Sequence, residues 1–218
     1  MDGRLIAWAI VGVCIGLRAV VKARGSIGKL RRSGTVFGES HATEAAVISP
    51  LLALVGLGVC VRLAQVFDGN LTVLAHGVFV SACLVLALID IDTHVLPRRT
   101  TYGALALGVP VLVLARIVDH EGSLVSAFIG AVGLFMVLNV LAVLSRGGLG
   151  GGDVTLGLLL GAFVGFRGLV DVALGLATGF VAGGVWAVAL VASRRATGRT
   201  RFAFGPFLIL GALVAVLR

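Results

Sequence analysis

Three aspartates of this chain, Asp90, Asp92 and Asp153, stand where long apolar runs meet short loops. Asp90 and Asp92 lie in Leu88-Ile89-Asp90-Ile91-Asp92-Thr93-His94-Val95-Leu96-Pro97, and Asp153 closes Gly147-Gly148-Leu149-Gly150-Gly151-Gly152-Asp153. Two carboxylates from different helices that converge on one water have the chemistry of an aspartic protease. Like charges so close cannot both ionise: one carboxyl keeps its proton and polarises a carbonyl, while its ionised partner takes a proton from water. Two residues along a helix amount to a rotation of about 200°, so Asp90 and Asp92 cannot both face the same partner. The five glycines before Asp153 give a backbone that can pack tightly or take positive φ. Such a backbone could aim a carboxylate inward and leave room for an extended peptide. Two plainer explanations stand beside this one: helix-end charges resting in a membrane interface, and a flexible glycine turn.

The other reactive side chains do not assemble into a competing set. Cys14, Cys60 and Cys83 are isolated within apolar runs and form no CxxC pair, as small buried hydrophobes would. His41, His76, His94 and His120 lack metal-ligand spacing, and no G-x-S-x-G elbow occurs. His76, inside an apolar run, reads as a hydrogen-bonded bundle residue. No metal and no cofactor is expected.

The elements that must position the aspartates follow from composition. With 59% hydrophobic and 13% charged residues, the chain cannot supply the surface of a soluble domain, so lipid is its expected solvent. Its 32 glycines fit helices that approach closely in a bilayer. A span of the hydrocarbon core takes about 17–25 helical residues. The apolar runs are Leu5–Val21, Ala45–Phe67, Leu71–Ile89, Tyr102–Ile117, Leu124–Leu144, a weaker one that begins after Asp153, is interrupted by Arg167 and ends by Val170, then Val172–Val191 and Phe202–Leu217. The expected fold is all-α: one polytopic transmembrane bundle of about eight spans over residues 1–218. Lys22–Glu44 is a short basic loop, and the first run is retained rather than removed as a signal peptide.

Charge gives the orientation. Loops after the first, third, fifth and seventh runs, with their edges, hold 13 of the 18 Lys and Arg residues, which places them in the cytoplasm and both termini outside. Arg4, Arg62, Arg116, Arg167 and Arg218 fall elsewhere. The net charge of +8 is thus spread over membrane-edge loops rather than gathered in a nucleic-acid-binding module. Asp2, Asp68, Asp119, Glu121 and Asp171 fall in outer loops and read as solvated surface charge. Asp90, Asp92 and Asp153 fall at cytoplasmic helix ends.

On these residues the chain resembles the prepilin peptidases, or type IV leader peptidases, which belong with the GxGD-type intramembrane aspartic proteases. Gly150-Gly151-Gly152-Asp153 matches the GxGD signature. Asp90 followed by Leu96-Pro97 matches the first motif, and Phe204-Gly205-Pro206-Phe207-Leu208 resembles the segment that opens the last helix. The resemblance implies a catalytic pair, Asp90 and Asp153, with Asp92, Gly150, Gly152, Pro97, Gly205 and Pro206 in support. It implies a multi-pass protein of the cytoplasmic membrane whose site faces the cytoplasm and cleaves the basic leader of prepilin or pseudopilin helices. Lipid and those helices are the expected partners, nucleic acid is not, and a homo-oligomer is compatible with the sequence. Three features depart from the family. The insert with two CxxC pairs that accompanies N-methylation is missing, Thr155 stands where Lys is frequent, and Arg98 follows the motif proline where an acidic or amide residue is common. The competing class is a non-catalytic transporter or assembly protein, since membrane carboxylates also serve as cation sites. Against it, the aspartates lie at helix ends and the chain shows no internal repeat.

Overall fold

The computed structural model describes residues 44–145, 149–193 and 203–218, with isolated positions among the first 28. Most of the first apolar run, most of the loop at residues 22–44, and the basic residues Arg146, Arg194, Arg195, Arg199 and Arg201 lie outside the described residues. Seven α-helices and no strand are found among those described: α1 Glu44–Val66, α2 Asn70–Thr93, α3 Arg98–Val118, α4 Leu124–Leu144, α5 Gly151–Arg167, α6 Leu169–Ala192 and α7 Gly205–Leu217. The expectation of an all-helical membrane protein holds. Four of these helices, α2, α3, α4 and α6, are long and apolar enough to cross a membrane. At about 1.5 Å per residue, the 13 residues of α7 reach only about 20 Å.

Contacts divide the chain into two compact units, one of Met1–Thr93 with Gly103–Glu121 and the other of His94–Tyr102 with Gly122–Val216. In the first unit α2 carries the core, with Phe79, Leu86 and Ile89 fully buried alongside Leu63 of α1. The start of α2 is capped by residues that follow α3. Asp119 accepts from the Thr72 N–H at 2.8 Å and from its hydroxyl at 3.0 Å, and Glu121 accepts from the Asp68 and Gly69 N–H groups at 2.9 Å each. A helix leaves its first N–H groups without internal partners, and these carboxylates supply them. Both acids are half-buried, which corrects their reading as solvated surface charge. His76 is buried, its Nδ1 2.8 Å from the Thr72 carbonyl and its ring stacked on Phe67 at 4.5 Å, in line with a hydrogen-bonded bundle residue.

In the second unit α5 is the central helix, buried on all sides from Asp153 to Phe166 except at Leu158. Its glycines explain how α4 comes so near. Gly157, Gly161 and Gly165 recur every four residues and meet Leu134, Gly130 and Ser126 of α4; a Cβ on Gly165 would stand 2.6 Å from the Ser126 carbonyl oxygen. Gly175, Gly179 and Gly183 of α6 make the same kind of stripe against α7.

Two sequence expectations are corrected here. The sixth run does not begin after Asp153: α5 starts at Gly151, and Arg167 ends it rather than interrupting it. Asp171 is not a solvated outer charge but is 8% exposed, 2.9 Å from the Arg218 guanidinium and 3.7 Å from that of Arg167. Arg167 also donates to the Val216 carbonyl at 3.1 Å, and Arg116 to that of His120 at 2.9 Å. Several arginines outside the basic loops therefore have local duties at helix ends, where a cation also complements the helix dipole.

Candidate active site

Asp90 occupies the last turn of α2 in the first unit and is 4% exposed, whereas its neighbour Ile91 is 61% exposed and Asp92 is half-buried. The helix continues through all of them, so its 100° step per residue turns Asp90 inward and Asp92 away. The third run, Leu71–Ile89, lies in a helix that continues past Asp90 as far as Thr93. Thr93 is the last helical position, buried, its hydroxyl donating to the Ile89 carbonyl at 2.7 Å. His94 then takes φ 51°, the left-handed conformation that terminates helices.

The remaining motif residues before the last helix belong to the second unit. Gly150 has extended backbone and caps α5, and Asp153 is the third helical residue. Asp153 is 8% exposed; its Oδ2 accepts from the Gly150 N–H at 3.2 Å, and its own N–H donates to the Gly150 carbonyl at 3.0 Å. The carboxylate is thus held by the backbone of the glycine run that precedes it. Thr155 is buried and donates from its hydroxyl to the Gly152 carbonyl at 2.8 Å, bracing the same turn.

Within the second unit the Leu96-Pro97 linker lies against the glycine run. A Cβ on Gly152 would stand 2.6 Å from the Leu96 Cβ and 3.0 Å from the Leu96 carbonyl oxygen, so only glycine lets the Leu96-Pro97 linker rest there. One on Gly151 would stand 2.7 Å from a terminal nitrogen of Arg98. Pro97 opens α3, accepting from the Thr100 N–H at 2.9 Å, so α3 begins at Arg98 and not at Tyr102. Gly205 and Pro206 form the first turn of α7, where proline's missing N–H costs nothing. The contacts of this segment are with α6: Phe204 meets Phe180 edge-on at 5.0 Å and covers Gly183, while Phe207 lies 6.3 Å from Trp186. They support a helix start.

Sequence reasoning named Arg98 only as a departure from the family pattern, and it did not single out Thr101. Arg98 lies over Gly151, and Thr101 is fully buried with its hydroxyl lacking a hydrogen-bond partner among the described residues. The available signal was the pair of arginines opening α3 with no acid in its first turn, against the preference of the helix dipole.

A model of the type IV leader peptidase family matches residues 77–192. The chain is 29% identical over 140 residues to the prepilin leader peptidase/N-methyltransferase of Bacillus subtilis (strain 168), covering 64% of this chain and 54% of that protein. It is 33% identical over 168 residues to the prepilin leader peptidase/N-methyltransferase of Burkholderia pseudomallei (strain 1026b), covering 74% and 52%. The chain therefore spans about half the length of these curated relatives. No solved structure matches it. Asp90, Leu96-Pro97 and the glycine run to Asp153 all fall inside the matched stretch, which takes in more than half of the residues, and the chain belongs to the type IV leader peptidase family.

Proposed function

We propose that the protein is a membrane aspartic endopeptidase that removes the short basic leader from type IV prepilin-like proteins, with Asp90 and Asp153 as its catalytic pair. The observation that carries this reading is the packing of Leu96 on Gly152. Leu96 stands six residues after Asp90 along the chain, and Gly152 is next to Asp153. Both carboxylates are buried near helix ends, where an ionisable side chain is costly and hence a candidate for function.

In this mechanism one carboxylate accepts a proton from the attacking water while the other, protonated, donates to the scissile carbonyl oxygen. The Gly150 N–H steadies Asp153 through the cycle. Glycines at 150–152 leave the peptide backbone free of flanking side chains, which suits a substrate that must be extended at the cut. The site is proposed to face the cytoplasm, in a bundle of about eight spans, because the basic loops of the sequence alternate in that sense. The relatives' names include N-methyltransferase, but this sequence has no CxxC pair, so methyl transfer is not proposed.

The test is leader cleavage by the purified protein in lipid, followed on a gel. Asp90→Asn and Asp153→Asn should each insert and fold yet cleave no leader. Near-normal cleavage by either well-expressed variant would remove that aspartate from the reaction.

A further inference from the structure

Asn139 stands within the apolar helix α4, and nothing in the proposed mechanism uses it. α4 turns Ala127, Gly130, Leu134 and Leu138 inward, and Gly130, Leu134 and Leu138 meet the glycines of α5. At 100° per residue, Val125, Ile129, Val132, Met136, Asn139 and Val143 fall within an arc of about 80° on the opposite side of the helix. All six are exposed, the apolar ones by 37–71%. Their spacing, four and three residues in alternation, is the heptad repeat by which one helix packs along another. Asn139 comes five residues before the end of α4, about 7 Å inside the apolar run. So short a side chain does not reach the headgroups from there, as a lysine or arginine would. Thr178 of α6 meets its need locally, by donating to the Leu174 carbonyl of its own helix. The Asn139 carboxamide makes no hydrogen bond among the described residues.

We infer that α4 is a dimer interface, in which this seam packs on the same seam of a second copy about a two-fold axis along the membrane normal. A carboxamide in hydrocarbon is costly without a partner, and membrane helices meet that cost with hydrogen bonds from one helix to the next. The partner must offer a donor and an acceptor at this depth. A second copy in the same orientation does so by symmetry, because its own Asn139 lies at the same depth. A carboxamide has two N–H donors and an acceptor oxygen, so it is complementary to itself. One Asn in such a seam also fixes the register, since sliding by a turn leaves both amides in lipid. Parallel pairing sets the glycine runs of both copies on one side of the membrane, because each run follows α4 within a few residues. The inference does not depend on the peptidase reading.

The experiment uses the full chain in liposomes. Energy transfer between donor-labelled and acceptor-labelled chains, followed as lipid is added, gives the dimer affinity of the wild type with no change in the helix. Asn139→Leu should weaken it about tenfold, the loss of one hydrogen-bonded pair in a bilayer, and Asn139→Gln should keep most of it, both with wild-type helical content. Oxidative cross-linking then maps the face, in a chain with Cys14, Cys60 and Cys83 replaced by alanine. Val132→Cys, Met136→Cys and Val143→Cys should each give a product of twice the chain mass. Val137→Cys and Leu144→Cys, exposed but about 100–120° from the middle of the seam, should not. Energy transfer no greater than random collision gives, or equal affinity for wild type and Asn139→Leu, would overturn the inference. So would equal cross-linking at all these positions. Seam cysteines that join only to a second cysteine in Leu5–Val21 of the same chain, or only to an added substrate helix, would overturn it too, by naming another occupant.

Discussion

At the scale of single residues, the contrast between Asp90 and Asp92 yields the sharpest prediction. Asp90 is buried, Asp92 is half-buried, and both lie on one continuous helix that turns them about 200° apart. Asp90→Asn and Asp153→Asn should each lower leader cleavage by at least about a thousandfold, as expected when a general acid or base can no longer cycle its proton. Asp92→Asn should keep substantial activity; an inactive Asp92→Asn beside an active Asp90→Asn would exchange their roles. Gly152→Ala puts a methyl where the Leu96 backbone and Cβ stand, at 2.6–3.0 Å, and should reduce cleavage although it removes no reactive group. Thr101→Val tests a different point. Its hydroxyl is fully buried without a hydrogen-bond partner among the described residues, so an isosteric apolar replacement should leave the melting temperature unchanged or raise it. A clear drop in thermal unfolding would reveal a partner for that hydroxyl.

At the scale of elements, the association of α5 with α4 and of α6 with α7 rests on close backbone approach at glycines. The pair α4 and α5 can be tested with two glycines that differ only in what they face. A Cβ on Gly161 of α5 would run into the Gly130 carbonyl and the Ala131 backbone of α4, whereas one on Gly133 of α4 would meet nothing within 4 Å. Backbone cannot yield as a side-chain tip can, so Gly161→Ala should cost about 1–3 kcal/mol. Gly133→Ala should be neutral or stabilise by up to about 1 kcal/mol, because alanine is the better helix former. Thermal unfolding in detergent compares them directly, and equal melting temperatures would contradict the packing described for α4 and α5. The apolar length of these runs made the helices readable in sequence, and Leu124–Leu144 appears with the same bounds. Several of the other starts were not readable. Proline at 97 and three glycines at 150–152 resemble loop residues until their contacts are known, yet α3 and α5 begin beside them.

For the whole molecule, the arrangement across the membrane remains the proposal of the basic loops. Single cysteines at Ser33 and Thr197 should be labelled from the cytoplasmic side and one at Gly69 from the outside, in cells treated with impermeant reagent. Ser33 and Thr197 lie outside the described residues, so this prediction stands on the charge distribution alone. Gly69 stands at the capped start of α2, where an added Cβ would collide with the Asp119 carboxyl, so Asp68 is the better labelling position if expression falls. Labelling of Ser33 and Asp68 from one side would refute the eight-span orientation.

The sequence by itself determined the solvent, the helical class and the residues worth testing. Those depend on quantities that a chain carries locally: the length of an apolar run, the scarcity of charge, and a carboxylate next to a glycine run or a hydrophobic-proline pair. Tertiary structure decided what each polar group is for. Asp119 and Glu121 had the same local signature as any loop acid, and only the fold shows them supplying acceptors to the first amides of α2. Asp171 likewise became a buried ion-pair partner once Arg218, 47 positions later, was brought 2.9 Å away. Gly152 could have been a flexible turn until Leu96 was found against it. In each case the deciding partner is distant in sequence, and for the buried acids it meets a hydrogen bond or charge that would be costly to leave unmet.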